Sequence, residues 1–183
     1  MAKKSNKKSN KKKNYNIFIS LGLIVVVLAG YLILSNGNGS AKTNTNIKSG
    51  DYKEFEFSKE GELSFQDENG KFISQIDIEI AQDAVKRAVG LMYRERLNEN
   101  QGMLFIFQHE TYQSFWMKNT VLPLDIIFVN KNKEIVTIYR NTTPFSEESY
   151  PSTKPAIYVV EVNAGYTSDH GIKEGDKISW RVM

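Results

Sequence analysis

Residues 71–92 read KFISQIDIEIAQDAVKRAVGLM, and a change of period inside this stretch decides the fold class. From Lys71 to Ile80, the residues Phe72, Ile76, Ile78 and Ile80 fall on one face of an extended chain. Ile73, Gln75, Asp77 and Glu79 fall on the other, which is the alternation of a half-buried strand. From Gln82 to Met92 the spacing changes: Ala84, Val85, Ala88, Val89 and Met92 form a stripe with Lys86 and Arg87 opposite, predicting an amphipathic helix. Gly90 near its end weakens that helix or ends it. A strand followed directly by a helix, in a chain otherwise patterned as strands, reads as α+β.

Working outward, Phe55 and Phe57 alternate with glutamates, and Leu63 and Phe65 alternate across Gly61, which suggests a hairpin or an edge ribbon. Further strand candidates are Met103–Phe107, Tyr112–Met117, Asp125–Val129, Glu134–Tyr139, Ala156–Val162 and Lys177–Arg181. Ile126, Ile127, Phe128 and Val129 are apolar on both faces, which places that strand centrally in a sheet. Pro144 to Pro155 is polar and proline-bounded, the composition of a mobile flap. The expected domain is therefore α+β and mostly β: a small, partly closed antiparallel barrel or sandwich with one principal helix.

Ahead of the domain the composition shifts twice. Residues 1–16 carry seven of the chain's 24 cations and no acid, leaving 17 cations against 21 acids in the remainder, so a tail of +7 precedes a remainder of −4. Ile17 to Leu34, IFISLGLIVVVLAGYLIL, has no charge. As a helix it spans roughly 27 Å, close to a bilayer core of about 30 Å. This predicts an uncleaved transmembrane anchor at 17–34 with Tyr15 and Tyr31 at its interfaces, and the lysines hold residues 1–16 in the cytoplasm, against anionic lipid headgroups. A cleaved signal peptide is the competing reading, with only a weak small-residue match at Gly39 to Ala41. Residues 35–50, SNGNGSAKTNTNIKSG, have the composition of a flexible linker, and residues 51–183 form the extracytoplasmic domain. The net charge of +3 is thus a topology signal, and no nucleic-acid partner is expected.

Five segments in order, GLMYR (90–94), GMLFIF (102–107), FWMKNT (115–120), PLDIIFV (123–129) and VEVNAG (160–165), followed by Gly175-Asp176, resemble the successive blocks of one family. It is the domain of unknown function number 192, also called uncharacterised protein family 0127. The resemblance covers about residues 75–182. It implies an exported or membrane-anchored single domain with a small β-rich fold, and it implies no activity.

The blocks themselves offer chemistry. Extended, FWMKNT presents Phe115, Met117 and Asn119 on one side and Trp116, Lys118 and Thr120 on the other, so that an aromatic lies beside a cation and an amide. The competing reading is a core Trp116 and Met117 with a solvated Lys118. Asp125, opening an apolar run, is the acid most in need of a buried partner, and Arg94 or Lys118 is expected to pair with it. Glu161 is a further member of the charged set, with a parity that the doubly apolar strand leaves open. The candidate ligand-binding residues are Arg94, Trp116, Lys118, Asn119, Asp125 and Glu161.

Other chemistry is excluded or unsupported. The chain has no cysteine, so disulfides, thiol nucleophiles, Cys-ligated zinc and iron–sulfur clusters are impossible. With two histidines, His109 and His170, a three-histidine metal site is impossible, no HExxH spacing occurs, and both read as solvated loop side chains. No G-x-S-x-G elbow, G-x-G-x-x-G turn, P-loop or calcium loop is present, so no metal and no cofactor is expected. Asn141-Thr142-Thr143 matches a glycosylation acceptor, a motif short enough to occur by chance. Two functional classes remain: a membrane-tethered envelope module that binds a small polar ligand, glycan or protein, and an envelope-polymer hydrolase using paired carboxylates such as Asp125 and Glu161.

Overall fold

The structure, a computed structural model, describes residues 56–183. The tail, the anchor and the linker expected over residues 1–50 lie outside the described residues, as does Phe55. Among the described residues no helix is long and apolar enough to cross a membrane.

The alternating segment at 71–80 is strand β2 (Phe72–Ala81), hairpinned onto β1 (Gly61–Gln66). The turn between them is set by Asp67, whose Oδ1 accepts from the N–H groups of Asn69 and Lys71 at 2.9 Å, and by Gly70 at φ 84°. Such a φ belongs to the left-handed region that glycine enters without cost. The remaining elements are α1 (Ala84–Val89), β3 (Gln101–Thr111), β4 (Ser114–Phe115), β5 (Leu124–Val129), β6 (Ile135–Tyr139), β7 (Tyr150–Pro151), β8 (Ala156–Asn163), α2 (Tyr166–Asp169) and β9 (Lys177–Val182). They build a seven-stranded sheet in the order β6-β5-β8-β3-β2-β1-β9 and a two-stranded sheet of β4 and β7.

The domain is mostly β with few helices, as expected, but the expectation of an antiparallel sheet needs correction. The sheet is mixed, because β2 and β3 run parallel, joined by the crossover that contains α1. It is also not a closed barrel. Laid flat, seven strands would hold their edges roughly 29 Å apart, yet Glu134 beside β6 bridges Lys177 of β9, and Ile178 N–H donates to Lys133 O at 2.9 Å. The sheet therefore rolls until one end of its edges touches, without a ladder closing it.

The roll explains why β5 and β8 are apolar on both faces. One cluster fills the concave side: Leu63, Phe65, Ile76, Ile78, Leu104, Ile127, Val160, Val162 and Ile178. A second lies on the convex side, where Met103, Phe105, Ile126, Phe128 and Val159 are covered by Leu91, Met117 and other residues from loops. All of β5 is buried. Gly102 lies where a Cβ would come 2.6 Å from the Glu161 carbonyl oxygen, so β3 and β8 approach as closely as they do only because that position has no side chain.

The predicted helix over 82–92 shrinks to six residues, none of them buried. Asp83 caps it, accepting from Lys86 N–H at 2.8 Å, and Gly90 ends it at φ 51°. Val85 is 73% exposed, so the apolar stripe is not a core face; Leu91, beyond the helix, enters the convex core instead. The strand expected over 112–117 is reduced to Ser114–Phe115, and the Phe57 alternation makes no strand, since pairing starts at Gly61. The 144–155 segment is strapped down rather than free: β7 pairs with β4, Ser152 N–H donates to Gln113 O at 2.9 Å, and Tyr139 Oη donates to Pro151 O at 2.7 Å.

Candidate functional site

Register places one row of side chains across the convex face. Glu79 of β2 is opposite Met103 of β3, Met103 opposite Glu161 of β8, Glu161 opposite Ile126 of β5, and Ile126 opposite Tyr139 of β6. Two acids thus share a face two strands apart, both nearly buried. They are treated differently by their surroundings. The Arg94 guanidinium meets both Glu79 oxygens, Nη1 to Oε1 at 3.1 Å and Nη2 to Oε2, and Ser58 N–H donates to Oε1 at 2.7 Å. Glu161 has no hydrogen-bond partner among the described residues, and burial pushes its carboxyl up to about 8. At neutral pH it is a neutral acid.

The cover over this row is made by the family-like blocks. A Cβ on Gly90 would lie 3.1 Å from Phe105 Cζ and 3.8 Å from Glu161 Oε2, so the glycine backbone rests directly on the buried acid. From there Leu91 turns into the core and Arg94 reaches Glu79. In FWMKNT the predicted alternation holds through Lys118. Phe115 packs edge-on against Phe105 at 5.0 Å and Phe128 at 5.7 Å. Met117 is fully buried, with Thr142 Oγ1 at 3.2 Å from its sulfur. Trp116, 48% exposed, faces outward with Lys118 Nζ at 5.2 Å from its ring centre. The alternation breaks at Asn119, where φ is 56°.

That break organises the surface. Asn119 O accepts from Tyr93 N–H at 2.9 Å, and Thr120 O accepts from Phe145 N–H at 3.1 Å. Tyr93 (φ 62°) and Phe145 (φ 59°) are themselves in the left-handed region. Bulky non-glycine residues reach it at a cost of about 1–2 kcal/mol each, and such residues concentrate at functional loops. Both rings are exposed, Tyr93 by 55% and Phe145 by 61%. Three loops are thus laced at their backbones and present Tyr93, Trp116 and Phe145 to solvent. Lys118, beside Trp116, makes a 3.4 Å contact with Glu147, a largely exposed pair that contributes little.

Asp125 does not belong to this set. The expected pairing with Arg94 or Lys118 is not formed: Arg94 is on Glu79 and Lys118 on Glu147. Asp125 pairs with Val162 in register and points to the concave side. Its oxygens accept from Asn141 N–H (2.9 Å), Gly165 N–H (3.2 Å), Thr167 N–H (3.0 Å) and Thr167 Oγ1 (2.6 Å). The carboxylate ties the VEVNAG turn and the bend at Asn141 to β5, which is why an acid stands in an apolar strand. Arg94 ends on Glu79, two strands from Glu161 on the same face; Trp116 and Lys118 are in contact on the outer side, and Asp125 stands apart.

Sequence reasoning missed Glu79, Tyr93 and Phe145. Glu79 sat at a polar position of an alternating strand and read as solvated, since nothing local announces that loops cover the convex face. Tyr93 lies inside GLMYR and was findable there; Phe145 lay in a segment read as a flap. Among the described residues no group of His, Asp and Glu has a metal-holding arrangement.

The fold and this surface define a small mixed-sheet β domain whose GLMYR and FWMKNT segments cover one convex face. The chain belongs to the DUF192 family, described as an uncharacterised ACR, whose profile matches residues 65–180. It is similar to the UPF0127 protein PF1050 of Pyrococcus furiosus, 28% identical over 114 residues that make up 60% of this chain and 90% of that one. Among solved structures it is similar to a protein of Sinorhizobium meliloti provisionally described as a transcription regulator, at 36% identity and a TM-score of 0.64, covering 68% of this chain and 97% of that chain. A protein of unknown function from Novosphingobium aromaticivorans is also similar, at 35% identity and a TM-score of 0.61, with 65% and 84% coverage.

Proposed function

We propose that this chain is a membrane-anchored, extracytoplasmic binding module of the cell envelope, and that its contact surface is the face of Tyr93, Trp116 and Phe145 with Lys118. The observation that carries the binding role is the exposure of three aromatic rings on loops held in costly backbone conformations and laced together. Rigid aromatic side chains give large contact area at low entropic cost. A glycan carrying anionic groups fits them best: sugar faces stack on aromatic rings, and Lys118 supplies the cation. The anchor and orientation rest on the uncharged span 17–34 and the lysines before it. The net charge of −4 outside the tail speaks against the nucleic-acid role that the description of the Sinorhizobium protein brings up.

The paired-carboxylate hydrolase has no support from Asp125 and Glu161, which point to opposite faces, the former engaged by three backbone N–H groups and the Thr167 hydroxyl. The chain has two tryptophans, so a Trp180→Phe background isolates Trp116 fluorescence in the full chain. A saturable change with purified anionic envelope glycan, weakened at least fivefold by Lys118→Ala, is the expected result. No response to any glycan sinks the glycan as occupant and leaves a protein partner.

A further inference from the structure

A second, separate feature lies on the concave side, at the mouth of the roll. Residues from the start of β2, the segment before β3 and the α2 turn enclose an open pocket of about 400 Å³, within the size range of small-molecule sites. Ser74, Glu99, Asn100, Tyr166 and His170 line it, with Ile73 as an apolar wall. It shares no residue with the aromatic face.

Three details make this more than a surface dent. Ser74 is 7% exposed, and its Oγ has no hydrogen-bond partner among the described residues. Buried hydroxyls are nearly always paired, so one that lines a pocket is a donor and acceptor that a ligand group can use. The Tyr166 phenol lies near enough to Ser74 to feel it, without the geometry of a bond; burial raises the phenol's pKa, Ser74 lowers it, and the nearby Glu99 charge raises it further. It stays a neutral donor and acceptor. Finally, His170 stacks on Tyr166 at 4.1 Å and 27°, and its Nδ1 lies 2.9 Å from the Tyr166 carbonyl oxygen. A carbonyl only accepts, so Nδ1 carries the proton and Nε2 of the neutral ring keeps its lone pair.

The lining therefore offers two hydroxyls, the amides of Gln75 and Asn100, an imidazole acceptor and one carboxylate beside a stacked aromatic pair. The one formal charge among the lining residues is negative, on Glu99. We infer that the Ser74–Tyr166–His170 pocket is a binding site for a single polyhydroxylated ring, a neutral or amino sugar, and that it rejects acidic ones. The hydroxyl and amide groups meet the ring's hydroxyls, the aromatic pair packs against it, and Glu99 repels carboxylates and phosphates while favouring an ammonium group.

The chain's two histidines, His109 and His170, make the test direct. The full chain in detergent micelles is titrated with glucose, glucosamine, N-acetylglucosamine, glucuronate and inorganic phosphate, and the two imidazole Hε1 resonances are followed by NMR. A saturable shift of His170 alone, with a neutral or amino sugar and not with glucuronate or phosphate, is expected. Ser74→Ala, which removes a hydroxyl without a hydrogen-bond partner among the described residues, should weaken binding of the responding sugar at least tenfold, and Glu99→Gln, at an exposed position, should weaken glucosamine and relax the rejection of glucuronate. Trp116→Ala should leave the titration unchanged. No saturable His170 shift, equal movement of His109, preference for an acidic probe, or loss of the response in Trp116→Ala would each overturn the assignment.

Discussion

Asp125 and Glu161 lie one register step apart on adjacent strands, Asp125 opposite Val162 and Ile126 opposite Glu161, and therefore point to opposite faces of the sheet. Successive side chains in a strand alternate sides, so no small rearrangement brings the two carboxyls together. Their chemistry diverges accordingly. One is an anchor held by three backbone N–H groups and the Thr167 hydroxyl; the other is an acid without a hydrogen-bond partner among the described residues, beneath a glycine.

The first prediction follows from Asp125. Four donors converge on it in a fully buried position, and removing the acceptor leaves buried N–H groups unpaired. Asp125→Ala should cost about 3–5 kcal/mol and Thr167→Ala about 1 kcal/mol, read from denaturant midpoints. An Asp125→Ala midpoint equal to wild type would contradict the anchoring role.

For Glu161 the expected signature is a pH dependence of stability. Its folded-state pKa is raised by burial from an ordinary 4.5 to about 8. Below the lower value both states hold the proton and folding is insensitive to this group. Between the two the unfolded chain ionises while the folded one stays protonated, so stability falls as pH rises, by at most about 1.4 kcal/mol per unit. Above the upper value the loss levels off. Glu161→Gln cannot titrate, so the stability difference between variant and wild type should shift in the variant's favour across that window. A difference that stays constant from acid to mildly alkaline pH would show that Glu161 ionises normally.

How legible was this in the sequence? The strands were, wherever burial is one-sided or complete: β2, β3, β5, β6, β8 and β9 all fall on predicted apolar segments. The parallel pairing of β2 and β3 was not, because pairing direction depends on where a crossover lands. The helix was overcalled because Val85 and Val89 repeat at helical spacing without facing anything. In the site, the outward Trp116 and inward Met117 follow from strand parity, whereas the Arg94 partner was misassigned. Asp125 is buried too, but N–H groups and the Thr167 hydroxyl satisfy it on the concave side, and Arg94 meets Glu79 on the convex one.

The third prediction separates stability from binding. Tyr93 and Phe145 occupy left-handed conformations at which glycine is unstrained, and their rings are mostly exposed. Replacing either with glycine relieves about 1–2 kcal/mol of strain and loses about 0.5–1 kcal/mol through the freer unfolded chain and some lost contact. Tyr93→Gly and Phe145→Gly should therefore unfold within about 1 kcal/mol of wild type while losing the glycan-dependent change in Trp116 fluorescence. A large loss of stability with binding retained would make the rings packing elements. Gly90→Ala goes the other way, since a Cβ at φ 51° would press on Phe105 at 3.1 Å, and should destabilise by about 1 kcal/mol or more.

The last prediction concerns topology, and the absence of cysteine makes it clean. Ser5→Cys puts the chain's single thiol in the lysine-rich tail, and Glu174→Cys puts it at an exposed position of the domain. If the lysines hold the tail in the cytoplasm and residues 17–34 span the bilayer, a membrane-impermeant maleimide should label Glu174→Cys on intact cells and Ser5→Cys only after permeabilisation. The reverse pattern would invert the orientation, and recovery of both variants in the soluble fraction would remove the anchor. A mature chain that has lost the Ser5→Cys thiol would establish cleavage after an export signal. In that case the domain would still face outward, but the aromatic surface would act as a released binder and lose the advantage that tethering gives it through a high local concentration at the envelope.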